Sequence, residues 1–328
     1  MKKTLKILFF IIFILTISST ALIVYHTNKF LTKQTNEDKL IYIEKGVGLN
    51  TLINILYKNN ILQSGSDKIL FNITMRLTTK NNIQLKYGEY FFRQNSTIKD
   101  IIKNIINNNV YYRSITFPEG LSTHSILKII EENEYLIGKI PDNIAEGSLL
   151  PQTYNFQRGD TKADLIKRMQ NNMTKTIDKY WENRDDDLPI KTKKEAIILA
   201  SIVEKETGIE EERKLVASVF INRLKIKMPL QSDPTAIYGY TFGNVARENE
   251  VKTHILIRRP SPYNTYKIRG LPPAPICNPG EESIKAVLNP AKTKYLFFVA
   301  TGNGGHNFSE NYFEHRKMVK DLKKVVYK

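Results

Sequence analysis

From Ile7 to Tyr25 the chain carries no charge, Ile, Phe and Leu dominate, and Lys2, Lys3 and Lys6 stand just ahead of the run. About 20 apolar residues at 1.5 Å each cross the roughly 30 Å hydrocarbon layer, so this pattern predicts one membrane-spanning helix within residues 1–28. A cleaved secretory signal has a shorter apolar stretch, about 7 to 15 residues. Ser18, Ser19, Thr20 and Ala21 are small enough for cleavage, but the length favours a retained anchor. The leading lysines predict a cytoplasmic N-terminus by the positive-inside rule, an asymmetry that Lys29 and Lys33 weaken. In either reading the chain after about Asn28 is exported.

A second pattern occurs twice. IYIEKGVGLNTLINILYKNN from Ile41 and ITFPEGLSTHSILKIIEEN from Ile115 align 74 residues apart, matching Ile41 with Ile115, Ile43 with Phe117, Gly46 with Gly120, Leu52 with Ile126 and Leu56 with Ile130. Each copy runs from an apolar pair at period two, through a glycine turn, into helical spacing, which reads as strand, turn, helix. Two copies are too few for a solenoid and read as related small modules. Between them Lys86 to Phe92 alternates like a strand, and Ser96 serves as an N-cap for an amphipathic helix. The charged, proline-containing run Asn183–Pro189 predicts an internal boundary. Residues 191–225 then read as two helices joined at TGIE. From Met228 to Pro279 the chain is rich in Pro, Gly, Asn and Tyr, which predicts a long loop-built region of the kind that forms a site. The expected fold is α+β, with an anchor in 1–28, a small β/α module in 38–110, and a larger α+β domain in 111–328 whose core occupies 190–328.

Charge narrows the function class. Lys and Arg number 49 against 33 Asp and Glu, a net +16 that suits an anionic partner. Export and the lack of a recognised motif argue against nucleic acid, leaving lipid headgroups and the cell-wall polymer. Cys277 permits no intrachain disulfide and, without a histidine nearby, reads as filler rather than a nucleophile. His124, His254, His306 and His315 lack metal-ligand spacing, and GNGGH lacks the Lys and Ser/Thr of a phosphate loop, so no metal and no cofactor are expected.

The segment KKEAIILASIVEKET, Lys193 to Thr207, has helical length and strong helix formers. At about 100° per residue, Ile198, Leu199, Ile202 and Val203 centre on one side; Glu206 falls near the middle of that side and Glu204 points almost oppositely. A carboxyl on an apolar face loses hydration, which raises its pKa and suits a general acid. The bland alternative is a glutamate at a fraying helix end, paired at the surface with Arg213 or Lys214.

Further islands concentrate amide, hydroxyl and aromatic groups beside turn residues, the chemistry with which proteins grip sugars. They are VFINRL at Val219 to Leu224, LQSDPTAIYG at Leu230 to Gly239, PYNTY at Pro262 to Tyr266, GLPPAPI at Gly270 to Ile276, YLFFVATGNGGHNFS at Tyr295 to Ser309, which ends in GGHNFS at Gly304 to Ser309, and the tail motif EHRK. With ASIVEKET at Ala200 to Thr207, FPEG at Phe117 to Gly120 and LPQTY at Leu150 to Tyr154, their order resembles the endolytic murein transglycosylase family, the MltG-type or YceG-like proteins. The resemblance covers nearly the whole exported chain. Gln152 stands where the family pattern has an acidic residue, and Cys277 interrupts a usually small or polar position.

The resemblance implies an anchored enzyme of the inner (plasma) membrane with its catalytic domain in the periplasm and a LysM-like subdomain at residues 38–110. It further implies a non-hydrolytic lyase that cuts the MurNAc-GlcNAc bond of nascent peptidoglycan strands, forms 1,6-anhydro ends, limits strand length and associates with peptidoglycan synthases. The family's acid is the second glutamate of its EKE triplet, which lands on Glu206, with Glu204 in reserve. Gln231, Asp233, Thr235, Tyr263, Asn264 and Tyr266 are the candidates for gripping the glycan, Asp233 or Asn264 also for easing the cationic transition state. Because Asp233 precedes Pro234, a turn anchor is its plain alternative. For the whole protein the main rival is a non-catalytic peptidoglycan-binding anchor, and a hydrolytic muramidase comes second.

Overall fold

The computed structural model describes residues 2–80, 84–247, 250–302 and 304–326; Asn303, inside the GNGGH turn, lies outside them. The chain is a mixture of helices and two-stranded sheets that divides into two compact units, Met1–Arg113 with Asn155–Gly159, and Ser114–Tyr154 with Asp160–Lys328.

The first unit begins with α1 (Lys2–Leu31). Its segment Leu5–Leu31 is long and apolar enough to cross a membrane, and the most apolar stretch of 18 residues within it is unburied in the protein. There follow β1 (Lys39–Ile43), α2 (Leu49–Lys58), α3 (Gly65–Thr78), β2 (Gly88–Phe92) and α4 (Ile98–Ile106). β1 and β2 pair antiparallel from Lys39 opposite Phe92 to Ile43 opposite Gly88. The alternation of β1 puts Ile41 and Ile43 inside, against Leu52 and Leu56 of α2, Phe71 and Met75 of α3, and Ile101 and Ile105 of α4. Phe30, in the last turn of α1, is buried in the same core. The cap of α4 is Thr97 rather than the expected Ser96: Thr97 and Asp100 bond each other's backbone N–H reciprocally, which satisfies two donors that a lone serine would leave open.

β3 (Arg113–Thr116) pairs with β4 (Thr153–Phe156), and α5 (Thr123–Glu131) lies between them in sequence. The second unit continues with α6 (Lys162–Trp181), α7 (Lys193–Glu206), α8 (Glu210–Lys225), α9 (Asp233–Thr241), a 3-10 turn at Val245–Arg247, α10 (Thr253–Leu256), α11 (Glu281–Leu288), the antiparallel hairpin β5 (Phe297–Ala300) and β6 (His306–Ser309), and α12 (Tyr312–Val326). α7 packs against α6, α8, α9 and α11. Ala196 and every residue from Ile198 to Val203 are buried, so its circumference is enclosed rather than one face.

Two expectations change here. The run Asn183–Pro189 is a link inside the second unit, not a boundary: Leu188 and Ile190 join Met173 and Ile177 of α6 and Leu199 and Val203 of α7 in one core. The stretch after Met228 is less loop-like than its composition, because α9 begins at Asp233-Pro234. Proline at the first helical positions has no intrahelical N–H to lose and a φ already set for the helix.

Candidate active site

α7 is fixed at both ends. Thr192 and Glu195 form a capping box at its start, and at its end Thr207 turns extended while its hydroxyl accepts the Ile209 N–H that leads into α8. Midway, the Ser201 hydroxyl accepts the Ile276 N–H at 3.0 Å, and Cys277 Sγ donates to the Ser201 carbonyl at 3.3 Å. Burial pushes the Cys277 thiol far up, which leaves it an inert packing group. Glu206 is therefore the last helical residue of a well-anchored rod.

Glu206 opens onto a cavity of about 320 Å³, shared with Arg223, Gln231, Asp233, Tyr266, Phe297, Phe298, Tyr312 and His315. Burial raises its carboxyl pKa above the ordinary range; the Ser232 hydroxyl opposes this, the Asp233 charge adds to it, and His306 and Arg223 counter weakly. The fully buried Ser232 hydroxyl lies close enough to affect the carboxyl, yet it has no hydrogen bond of ordinary geometry among the described residues. Tyr266 donates to Asp233 Oδ1 at 2.6 Å, and burial followed by that bond pushes the phenol's pKa up. The phenol thus stays a donor. Gln231 takes a left-handed conformation, φ +52°, an uncommon geometry for a residue with a side chain, and its side chain is exposed at the cavity.

Arg223 frames this wall. Its Nε donates to the Leu296 carbonyl at 2.7 Å and an Nη to the Leu230 carbonyl at 2.6 Å, which ties β5 to the segment carrying Gln231. Burial lowers its pKa to about 10, so it remains charged. Its guanidinium lies over the Phe297 ring, 5.4 Å from the centroid, and Phe297 in turn stacks on His315 at 5.2 Å and packs near Tyr312 at 5.9 Å. Burial and the nearby Arg223 charge lower the His315 pKa, and its buried Nδ1 has no hydrogen-bond partner among the described residues.

Four of the residues expected from sequence therefore meet: Glu206, Gln231, Asp233 and Tyr266. Three do not line this cavity. Thr235 is fully buried; its hydroxyl donates to the Ser232 carbonyl and meets the Thr265 hydroxyl at 2.8 Å. Asn264 is also buried, and its amide donates to the carbonyls of Leu256, Ile257 and Arg259. Tyr263 packs against Tyr238 and Phe242 instead of lining the cavity. Gln152 is exposed, and its carbonyl accepts the Phe117 N–H, a backbone contact independent of side-chain charge.

Arg223 and His315 lie in islands visible in the sequence, VFINRL and EHRK. Phe297 and Phe298 lie in a third, YLFFVATGNGGHNFS. Tyr312 carried no comparable signal, because nothing local says that a distant helix will face Glu206.

Glu204 occupies different surroundings. It accepts the Gly280 N–H at 2.9 Å and lies 3.7 Å from Arg213, which also reaches Glu119 at 3.3 Å. The Arg213 pairing expected as an alternative for Glu206 thus falls to Glu204 and Glu119. His306 is likewise committed: its amide and its ring Nδ1 meet the two oxygens of Glu212 at 2.8 and 2.7 Å. Burial favours a raised Glu212 pKa, but these bonds hold it below the ordinary value. A larger cleft of about 600 Å³ lies near Asp185, Asp187 and Lys292, but its aspartates pair with lysines, Asp187 with Lys225 at 2.6 Å and Asp185 with Lys292 at 3.9 Å. It offers no desolvated acid.

The geometry combines one desolvated carboxyl with a raised pKa, a second carboxyl that accepts from a phenol, and aromatic walls suited to sugar rings. Comparison with known proteins points the same way. The chain is 30% identical over 310 residues to the endolytic murein transglycosylase of Bacillus subtilis (strain 168), covering 84% of this chain and 82% of that protein. It is 26% identical over 334 residues to the endolytic murein transglycosylase of Streptococcus pneumoniae serotype 2, covering 88% of this chain but 59% of that longer protein. A crystal structure of a YceG-like protein from Listeria monocytogenes matches with a TM-score of 0.50 and 27% identity, over 87% of this chain and 100% of that one. Residues 41–321 match the model of the YceG-like family, and the chain belongs to that family.

Proposed function

We propose that this chain is a lytic transglycosylase acting on peptidoglycan, anchored by α1 in the inner membrane with its N-terminus in the cytoplasm and its second unit in the periplasm. The observation that carries the reading is the desolvated Glu206 carboxyl in an aromatic-walled cavity. The names of the relatives supply the reaction class.

Protonated Glu206 donates to the oxygen leaving the MurNAc-GlcNAc bond. As carboxylate it then takes the proton from the C6 hydroxyl of the same MurNAc, whose oxygen closes on the anomeric carbon and leaves a 1,6-anhydro end. The attacking oxygen belongs to the substrate, so no water is consumed, and the intramolecular attack gains a high effective concentration. Asp233, oriented by Tyr266, faces the positive charge that develops on the sugar ring. Gln231 and the Phe297, Tyr312 and His315 wall hold the glycan. The β1-α2-α3-β2 arrangement is read as a LysM-like wall-binding module, and the role as endolytic trimming of nascent strands alongside peptidoglycan synthases.

A second carboxylate in the same cavity keeps a hydrolytic muramidase as the competing chemistry, since hydrolases pair two carboxyl groups. Digestion of purified sacculi with the full-length protein, followed by mass spectrometry of the released fragments, separates the readings. Anhydro ends support the proposal and reducing ends establish hydrolysis. Binding without release leaves only a wall-binding anchor.

A further inference from the structure

Helix α3 carries an apolar stripe that stays exposed among the described residues of its own unit. Phe71 and Met75 on its inner face are fully buried. Ile69, Ile73 and Leu77 recur every four residues on the opposite face and expose 63, 48 and 75% of their surface. Three large aliphatic residues aligned at helical spacing form a continuous patch rather than scattered surface apolarity, and such patches mark interaction sites. Lys68, Arg76 and Lys80 flank the stripe. The one acid of the helix, Asp67, is committed to Lys33 at 2.6 Å.

The stripe begins where the apolar span ends. A recess of about 410 Å³ is lined by His26, Lys29 and Phe30 of α1 together with Ser66, Ile69 and Leu70 of α3. Phe30 is locked in the same core as Phe71 and Met75, so the last turn of α1 and the start of α3 form one packed unit. Ile69 consequently lies close to the level at which α1 leaves the hydrocarbon.

Resting on the reading of α1 as a membrane anchor, we propose that α3 is an interfacial helix. Ile69, Ile73 and Leu77 dip into the boundary between headgroups and acyl chains, while Lys29, Arg76 and Lys80 meet anionic lipid headgroups. An apolar stripe bordered by cations is the pattern that lies in that layer, and long basic side chains reach sideways to the headgroups. A second copy of the chain is the poorer occupant, because a face-to-face pairing brings the cations of two α3 helices together. The interfacial helix holds the first unit against the bilayer and restricts its tilt about the end of α1.

The test uses the full-length protein with Cys277→Ser and one new cysteine at Ile69, Ile73 or Leu77, all exposed positions. The cysteine carries an environment-sensitive fluorophore, and the protein is placed at one copy per nanodisc containing anionic lipid. The expected result is blue-shifted emission at all three positions, quenching by nitroxide-labelled lipid and protection from aqueous iodide. Iodide access at all three, with a probe at Leu15 reporting lipid, overturns the proposal and leaves the anchor intact. Protection seen only when several copies share one membrane assigns the stripe to a second copy and also overturns it. Water at Leu15 shows that the anchor reading itself has failed and takes this proposal with it.

Discussion

Glu204 and Glu206 lie two residues apart at the end of one helix and have opposite surroundings. Glu204 is nearly inaccessible, but its carboxylate has a backbone donor from Gly280 and the Arg213 guanidinium nearby. Glu206 faces a cavity shared with the Asp233 carboxyl, the Arg223 guanidinium and aromatic rings, and the Ser232 hydroxyl acts on it. Burial by itself therefore does not mark a reactive acid. A buried carboxylate supplied with donors behaves as a structural tie, whereas burial beside a like charge raises the pKa of a carboxyl. The glycine at 280 belongs to the first arrangement, because a Cβ there would lie 1.9 Å from Glu119 Oε1.

The contrast is tested most strongly at Glu206. Glu206→Gln should lower the release of anhydro fragments by about 10²- to 10⁴-fold, the usual contribution of a general acid-base, with binding to sacculi retained. Normal release from that variant, with loss in Glu204→Gln, would reverse the assignment. Glu204→Ala should instead cost about 3 kcal/mol of stability, seen as a lower Tm, because a nearly buried guanidinium loses one of its two carboxylates. A Tm unchanged by that substitution would mean that the cluster is not a tie.

Tyr266→Phe removes the donor to Asp233 without changing the shape of the ring. A hydrogen bond to a charged acceptor is worth about 1.5 kcal/mol, so kcat should fall roughly tenfold with little change in KM. Unaltered kcat would remove Asp233 from the reaction.

The smallest effect is a pH dependence of stability. The folded Glu206 carboxyl binds its proton more tightly than in the unfolded chain, where the ordinary value is 4.5. Its contribution to stability is thus fully present below that value and is lost as pH rises through the raised one. Glutamine does not titrate, so the Tm advantage of Glu206→Gln over wild type should be near zero in acid and grow towards neutral pH. A constant difference across that range would show that Glu206 is not desolvated.

Much of the local architecture was legible because its causes are local. The alternation of Ile41 and Ile43, the glycine turns and the helical spacing of Leu52 and Leu56 appear as β1 and α2, and the equivalent positions near Ile115 as β3 and α5. Errors arose where composition stood in for geometry. A cluster of turn-forming residues hid α9, and a charged run hid the continuity of the core between α6 and α7. Thr235 and Asn264 look like sugar-binding groups on chemistry alone. Only the fold reveals that their polar atoms are spent on neighbouring loops.

By itself the sequence determined the uncharged span, the short elements with their turns, and the placement of Glu206 rather than Glu204 on the side of the large aliphatics. These follow from spacing along the chain, where sterics and hydrophobic periodicity act over a few residues. Tertiary structure alone decided what surrounds that carboxyl. Arg223 comes from α8, Ser232 and Asp233 from the start of α9, Tyr266 from the loop between α10 and α11, Phe297 from β5 and His315 from α12, and a pKa depends on the desolvation and charge that such a convergence creates.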